Sequence, residues 1–381
     1  MGERLAIRWL VGLTTTILMA GCAAGAIPPA VSVAPGPVVT PSAVVATLLP
    51  SPFVAPSPAT AAPTPASASS DCVVATLAGK PGDAAGAVDG TGAEARFSAE
   101  MQYIVIDSHG DMFVTDTADH VIRKVTPGGV VTTFAGKVGE PGSVDGAGAA
   151  ARFNRPNGIA IDASDTLYVA GNEDDAVRKI TPDGTVTTLA TKLGISPSGI
   201  ALDAAGNVYT GGWVGNVLLK IAPDGTVTEV AGKRGSPGTT DGKGDAARFQ
   251  WLIGVTSDAQ GVLWVEDLAP DLSDLAVRRV TPDGTVTTLK GDWGPHGPPG
   301  IMWVDPSGEL YGTSYPGHTV MKIAPDGTVT LLAGKLGEAG SADGPGDVAR
   351  FAGPIGMLRD ASGLFYIVDS DNHTIRTMRC P

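Results

Sequence analysis

The sequence predicts an all-β fold, a six-bladed β-propeller occupying residues 72–381. Three observations predict it. A unit of four short strand-like runs recurs along the chain, six times when the innermost run is counted. Most units carry a Pro-Asp-Gly or Pro-Gly-Gly turn between their last two runs. Glycine and proline, at 52 and 30 of 381 residues, are abundant enough for many tight turns and a low-complexity stretch.

The third and fourth runs are the clearest. The stretch 121–136, Val-Ile-Arg-Lys-Val-Thr-Pro-Gly-Gly-Val-Val-Thr-Thr-Phe-Ala-Gly, recurs at 177–190, 217–232, 277–290 and 320–334. Each copy is a pair of alternating apolar runs. Pro presets φ at the turn between them, and Gly supplies the positive φ that a bulged hairpin needs. Two further runs precede each copy, as in 158–162 followed by 167–170. The innermost runs fall at 104–107, 159–162, 200–203, 253–258, 301–305 and 355–360. The sixth unit stops at Cys380 without a fourth run. The missing run stands at the other end, where 73–79 (Val-Val-Ala-Thr-Leu-Ala-Gly) matches 329–334 and no unit precedes it. Closure by that N-terminal strand completes the last blade and removes the sheet edges at the seam.

The cysteines fit this closure. In the register of the repeat, Cys380 falls on the Pro of the hairpin turn and Cys72 on its final Gly. Those positions are neighbours across an intact turn, so a Cys72–Cys380 disulfide is within reach and replaces the covalent turn that the seam lacks. Cys22 is accounted for separately. Arg4 and Arg8 precede an apolar run, 9–19, that ends in Met19-Ala20-Gly21-Cys22. This ending resembles the lipobox of bacterial lipoproteins, which implies that residues 1–21 are a signal peptide and that Cys22 is lipidated. An uncleaved membrane anchor is the alternative, because 9–26 is long enough to span a bilayer. Either way the remainder is expected outside the cytoplasm, facing the periplasm or the cell exterior. Residues 22–71 are rich in Pro, Ala, Ser and Val and almost uncharged, a semi-rigid tether that could reach ~150 Å if fully extended.

The stretches 116–123 (Asp-Thr-Ala-Asp-His-Val-Ile-Arg) and 369–376 (Asp-Ser-Asp-Asn-His-Thr-Ile-Arg) resemble the Asn-His-Leu signature of NHL repeats. The stretch 155–162, Arg-Pro-Asn-Gly-Ile-Ala-Ile-Asp, is similar to the opening of the same repeats. The resemblance extends over all six units and implies the propeller fold and an interaction or sensor role. Copies two to five depart from it at the Asn-His pair, where only His318 of copy five survives.

The six units also serve as their own alignment. A residue present in every blade serves the fold, whereas a catalytic residue is singular. Asp107, Asp162, Asp203, Asp258, Asp305 and Asp360 recur in all six, so they are expected to close the turn after the first strand. A ring of metal-binding carboxylates is the sharper alternative. Asp116 with Arg123 and Asp369 with Arg376 read as repeated structural pairs. His120, His318 and His373 share one slot, which suits turn residues rather than a converging metal site. Four connections repeat Ala-Gly-Lys-x-Gly, Asp-Gly-x-Gly and Ala-Arg-Phe, ending at Phe97, Phe153, Phe249 and Phe351. Within these connections no Lys-Ser/Thr follows the glycines and no Asp-x-Asp spacing occurs, which argues against phosphate and calcium loops. These Phe are expected to pack between blades.

Residues that break the pattern mark the candidate site. Trp213, Trp251, Trp293 and Tyr315 stand in connections of blades three to five where other blades have small or polar residues. The longest loop, 266–274, brings Glu266, Asp267, Asp271 and Asp274 to the same side. Aromatics beside carboxylates suit sugars or cationic groups. Arg359 is singular on the inner strand of blade six and is a candidate to enter the channel. Trp264 and Trp303 lie in strands and read as core.

The net charge of −13 argues against nucleic-acid binding. No catalytic constellation is visible in the sequence. The expected function is therefore a membrane-tethered, non-enzymatic binding or sensor scaffold, monomeric and without a cofactor. Its expected partner, on the irregular face of blades three to five, is a protein or a cell-envelope polysaccharide. The alternative is a hydrolase or lyase resembling the lactonase-like and virginiamycin-lyase-like propellers, with a divalent cation in the central channel.

Overall fold

The computed structural model describes residues 68–69, 71–83, 86–270, 275–289, 300, 302–305, 308–324 and 327–381. The chain divides into units 1–61 and 62–381, and the described residues all belong to the second. Cys22, Asp271, Asp274 and Trp293 lie outside the described residues.

Six antiparallel sheets form the blades of a ring. Blade one consists of Met101–Ile106, Met112–Asp116, Val121–Val125 and Val130–Gly136, paired in that order. In blade six the strands Pro354–Arg359, Leu364–Asp369 and Thr374–Arg379 are followed in space by Val73–Gly79. The N-terminal strand thus supplies the fourth strand, with Val73 opposite Arg379 and Gly79 opposite Thr374. Cys72 and Cys380 form the disulfide just beyond this pairing, with Cα atoms 4.1 Å apart.

The six recurring Asp residues close turns. The Oδ1 of Asp107 accepts from the backbone N–H groups of His109 and Asp111, at 2.9 and 2.8 Å. Asp162, Asp203, Asp258 and Asp360 repeat both bonds, and Asp305 accepts from Glu309 N–H. A carboxylate committed to two backbone donors fixes the tight turn between the inner and second strands.

The His slot has a second duty. His120, His318 and His373 adopt φ of 61°, 57° and 57°, and Asp175 and Asn216 fill the same slot in blades two and three at 48° and 60°. His, Asn and Asp are the non-glycine residues that tolerate this left-handed conformation best. Each then bonds to the chain entering the next blade. The Nδ1 of His120 accepts from Arg155 N–H, that of His318 from Gly353 N–H, and Asn216 Nδ2 donates to Gln250 O.

The repeated connections add more than a Phe plug. Each sends a two-residue strand, Gly90–Thr91, Gly146–Ala147, Gly242–Lys243 or Gly344–Pro345, to pair with the outer strand of blade one, two, four or six. This fifth strand covers an edge that would otherwise present free N–H and C=O groups. Beneath it lies a fully buried Arg of the third strand. Arg376 bonds to Asp369 at 2.7 Å, to Asp343 of the connection at 2.6 Å and to Arg350 O at 3.0 Å, and its guanidinium lies 5.2 Å from the Phe351 ring centre. Arg123, Arg178 and Arg278 repeat the arrangement over Phe97, Phe153 and Phe249. Blades three and five lack the connection, and there Leu219 and Met321 occupy the Arg position. The loop supplies acceptors for both Nη groups of the buried guanidinium, while each Nε has no partner among the described residues, so the Arg and its loop occur together.

The apolar core is distributed as clusters between successive blades. Trp264 and Trp303 pack partly buried against these clusters.

Candidate functional site

Antiparallel pairing puts three features at one end of every blade: the entry into the inner strand, the turn between the second and third strands, and the exit of the outer strand. Among the described residues this connection face carries Trp213, Trp251 and Tyr315. Trp213 lies in the turn of blade three and Trp251 opens the inner strand of blade four. Their rings meet edge to face, with centroids 5.7 Å apart and planes at 62°. Trp213 N–H donates to Ser196 O, which seats the turn on the entry of its own blade.

The remaining sequence candidates separate. Tyr315 donates its hydroxyl to both carboxylate oxygens of Asp371 in blade six, at 2.9 and 3.0 Å. Burial and the adjacent carboxylate hold that phenol well above its usual range. Asp267 is buried in the second strand of blade four, where it bonds to Arg278 at 2.7 Å and accepts from Gln250 N–H at 2.6 Å. It is therefore the counterpart of Asp116 and Asp369. Arg359 lies at the opposite end of its strand from the connection face, with its guanidinium 5.1 Å from the Phe365 ring centre. The structure thus joins Trp213 to Trp251 and engages Tyr315, Asp267 and Arg359 elsewhere.

Glu266 also belongs to a strand, Leu263–Leu268, and not to the loop after it. It is 1% exposed. Its carboxyl fills the space over Gly254, where a Cβ would stand 2.5 Å from Oε2. Oε1 accepts from Met302 N–H of blade five at 2.7 Å, while Oε2 has no partner among the described residues. Burial raises the Glu266 pKa to about 8, so the group is largely a neutral acid at neutral pH.

Side chains of two other blades converge on blade four beside this group. Tyr103 of blade one reaches across to blade four, where its hydroxyl donates to Ile253 O at 2.8 Å. Ser198 of blade three donates to the same carbonyl at 2.9 Å. Tyr103 stands in the slot occupied by Gly158, Gly199, Gly254 and Gly356 in other blades, a signal present in the repeat. Among the described residues no group of three or more His, Cys, Asp or Glu side chains is arranged to hold a metal ion.

No family model matches the chain. No curated protein sequence matches it either. Solved structures do. A protein of unknown function from Bacteroides thetaiotaomicron is 20% identical with a TM-score of 0.62, covering 81% of this chain and 76% of that one. An auxiliary nutrient binding protein from Bacteroides ovatus is 16% identical with a TM-score of 0.61, covering 82% and 77%. A virginiamycin B lyase from Staphylococcus aureus is 15% identical with a TM-score of 0.53, covering 81% and 99%. The likeness establishes a shared β-propeller fold, and the six blades are those of this chain's own sheets.

Proposed function

We propose that the chain is an extracytoplasmic binding protein, held at the membrane through Cys22 and its proline-rich tether. Its connection face takes up a saccharide or a protein at blades three and four. The observation that carries this reading is the Trp213–Trp251 pair, two half-buried indoles set edge to face on the connection face of blades three and four. Indole faces and edges stack on sugar rings and on apolar side chains, and they lose little rotational freedom on binding. One structural neighbour is an auxiliary nutrient binding protein, which is in keeping with such a role. The test is equilibrium binding of the full-length chain to a panel of envelope polysaccharides, repeated with Trp213→Ala and Trp251→Ala. Loss of capture in both variants with an unchanged melting temperature supports the reading, and unchanged capture refutes it. Membrane attachment is tested by Cys22→Ser, which should release the protein from the membrane fraction.

One observation favours a second reading, a hydrolase or lyase. Glu266 is singular in its slot, buried, largely neutral at neutral pH and half unpartnered, as a proton donor to a leaving group would be. Among the described residues Glu266 is not joined by two further His, Cys, Asp or Glu side chains that could hold a divalent cation with it. Turnover of a lactone or a cyclic depsipeptide that disappears in Glu266→Gln would favour this reading over binding alone.

A further inference from the structure

Three of the four repeated connections contain the same charge triad. Asp83 lies between Lys80 and Arg96, at 3.6 and 2.8 Å. Glu140 lies between Lys137 and Arg152, at 2.5 and 2.8 Å. Glu338 lies between Lys335 and Arg350, at 2.5 and 3.4 Å. In each, one carboxylate offsets the charge of two cations at the rim.

The fourth connection, which enters blade four, keeps both cations as Lys233 and Arg248 but has Ser236 at the acid's position. The backbone leaves no ambiguity about the equivalence. Ser236 N–H donates to Lys233 O at 2.9 Å, in the same turn that joins Glu140 to Lys137 and Glu338 to Lys335 at 3.0 Å. Among the described residues neither Lys233 nor Arg248 has a carboxylate partner. A third cation, Arg234, occurs only in this connection. It pairs with Glu229 at 3.0 Å and is held by Leu193 O and Gly194 O, at 3.1 Å each.

Hydrogen bonds connect this stretch to the tryptophans. Gly235 N–H donates to Gly215 O of the blade-three turn at 3.2 Å, and that turn carries Trp213 and the 48% exposed Val214. Asn216 of the same turn bonds to Gln250, the residue before Trp251. Most neighbouring carboxylates are already engaged, while Asp245 of the same connection is exposed and meets Arg248 only through its backbone carbonyl. Asp241 and Asp267 pair with Arg278, and Glu266 is buried beneath the surface. On a chain of net charge −13, the rim of blades three and four therefore combines two cations that lack an ion-pair partner among the described residues, Lys233 and Arg248, with an aromatic pair.

We propose that this rim binds an anionic saccharide chain, with sugar rings on Trp213 and Trp251 and the acid groups on Lys233 and Arg248. The inference rests on the reading of the connection face as a binding surface and adds the charge of its ligand. Nucleic acid is the other common polyanion. Duplex DNA presents a charge every ~1.7 Å, which the two unpaired cations on an acidic protein do not match.

The test uses the full-length chain and four polymers: polygalacturonate (carboxylated), dextran sulfate (sulfated), dextran (neutral) and DNA. The proposal expects at least one anionic saccharide to bind more tightly than dextran, with affinity falling as salt is added. Which anionic polymer binds identifies carboxylate or sulfate as the recognised group. Ser236→Glu restores the missing acid and should weaken that binding on the order of fivefold with unchanged melting temperature, while Ser236→Ala leaves it intact. Equal affinity for dextran, an unaffected Ser236→Glu variant, or preference for DNA would each overturn the proposal. Loss of all saccharide binding in Trp213→Ala together with an unaffected Ser236→Glu variant would remove the charge inference alone and leave the binding reading standing.

Discussion

Replacing Glu266 by Gln should change the pH dependence of stability in a defined direction. Burial raises its carboxyl from the ordinary value of 4.5 to about 8 in the folded chain. Between those values the folded state holds a proton that the unfolded state has released. Stability conferred by the neutral acid is therefore complete below about pH 4.5 and declines as pH rises towards 8. At 1.36 kcal/mol per pH unit, the interval corresponds to roughly 5 kcal/mol. Gln keeps the acceptor for Met302 N–H and does not titrate, so Glu266→Gln and the wild type should be similar near pH 5. By pH 8.5 the variant should be the more stable by several kcal/mol, on the order of 10 °C in melting temperature for a domain of this size. Comparing the two proteins at each pH cancels other titrations; Tyr103, the titratable group facing Glu266, stays neutral throughout because burial pushes its pKa well above the usual value. Denaturant melts followed by tryptophan fluorescence measure the difference. A gap between the two proteins that does not change with pH would refute the burial argument.

Two further predictions concern the frame. Serine at both Cys72 and Cys380 should cost about 5–6 kcal/mol on a chain-entropy estimate for a bridge that spans 308 positions, read as a lower denaturation midpoint without reductant. Arg376→Met should destabilise by about 3–5 kcal/mol, because it leaves Asp369 buried without its cation. The double change with Asp369→Ser copies the Ser314 and Met321 of blade five and should cost measurably less; a double variant no more stable than the single would contradict the pairing argument.

The blade count, the seam and the disulfide were legible because they rest on local turn chemistry repeated six times. The Asp turns show this best, since each depends only on residues two and four positions ahead. Features that depend on packing across blades were hidden. Asp267 read as a loop carboxylate because 11 positions separate it from Arg278, against 7 between Asp116 and Arg123. The longer turn obscured the common slot. In blade two the acid has moved: Gly171 occupies the slot, and Asp174 returns from the turn to within 3.6 Å of Arg178, filling the space a side chain at 171 would need. Glu266 could not be recognised as buried, because nothing local indicates that its carboxyl lies over a glycine of the neighbouring strand. The two-residue fifth strands are too short for any periodicity to reveal. Trp213 and Trp251, distant in sequence order by a whole connection, were each visible as departures from the repeat, but only the ring geometry shows that they touch.

The most direct test of the binding face is hydrogen–deuterium exchange of the full-length chain with and without polygalacturonate oligomers. Binding at the rim of blades three and four predicts slowed exchange confined to 213–216, 233–238 and 248–251. Protection at the Asp-closed turns of the opposite face, or no protection at ligand saturation, would contradict it.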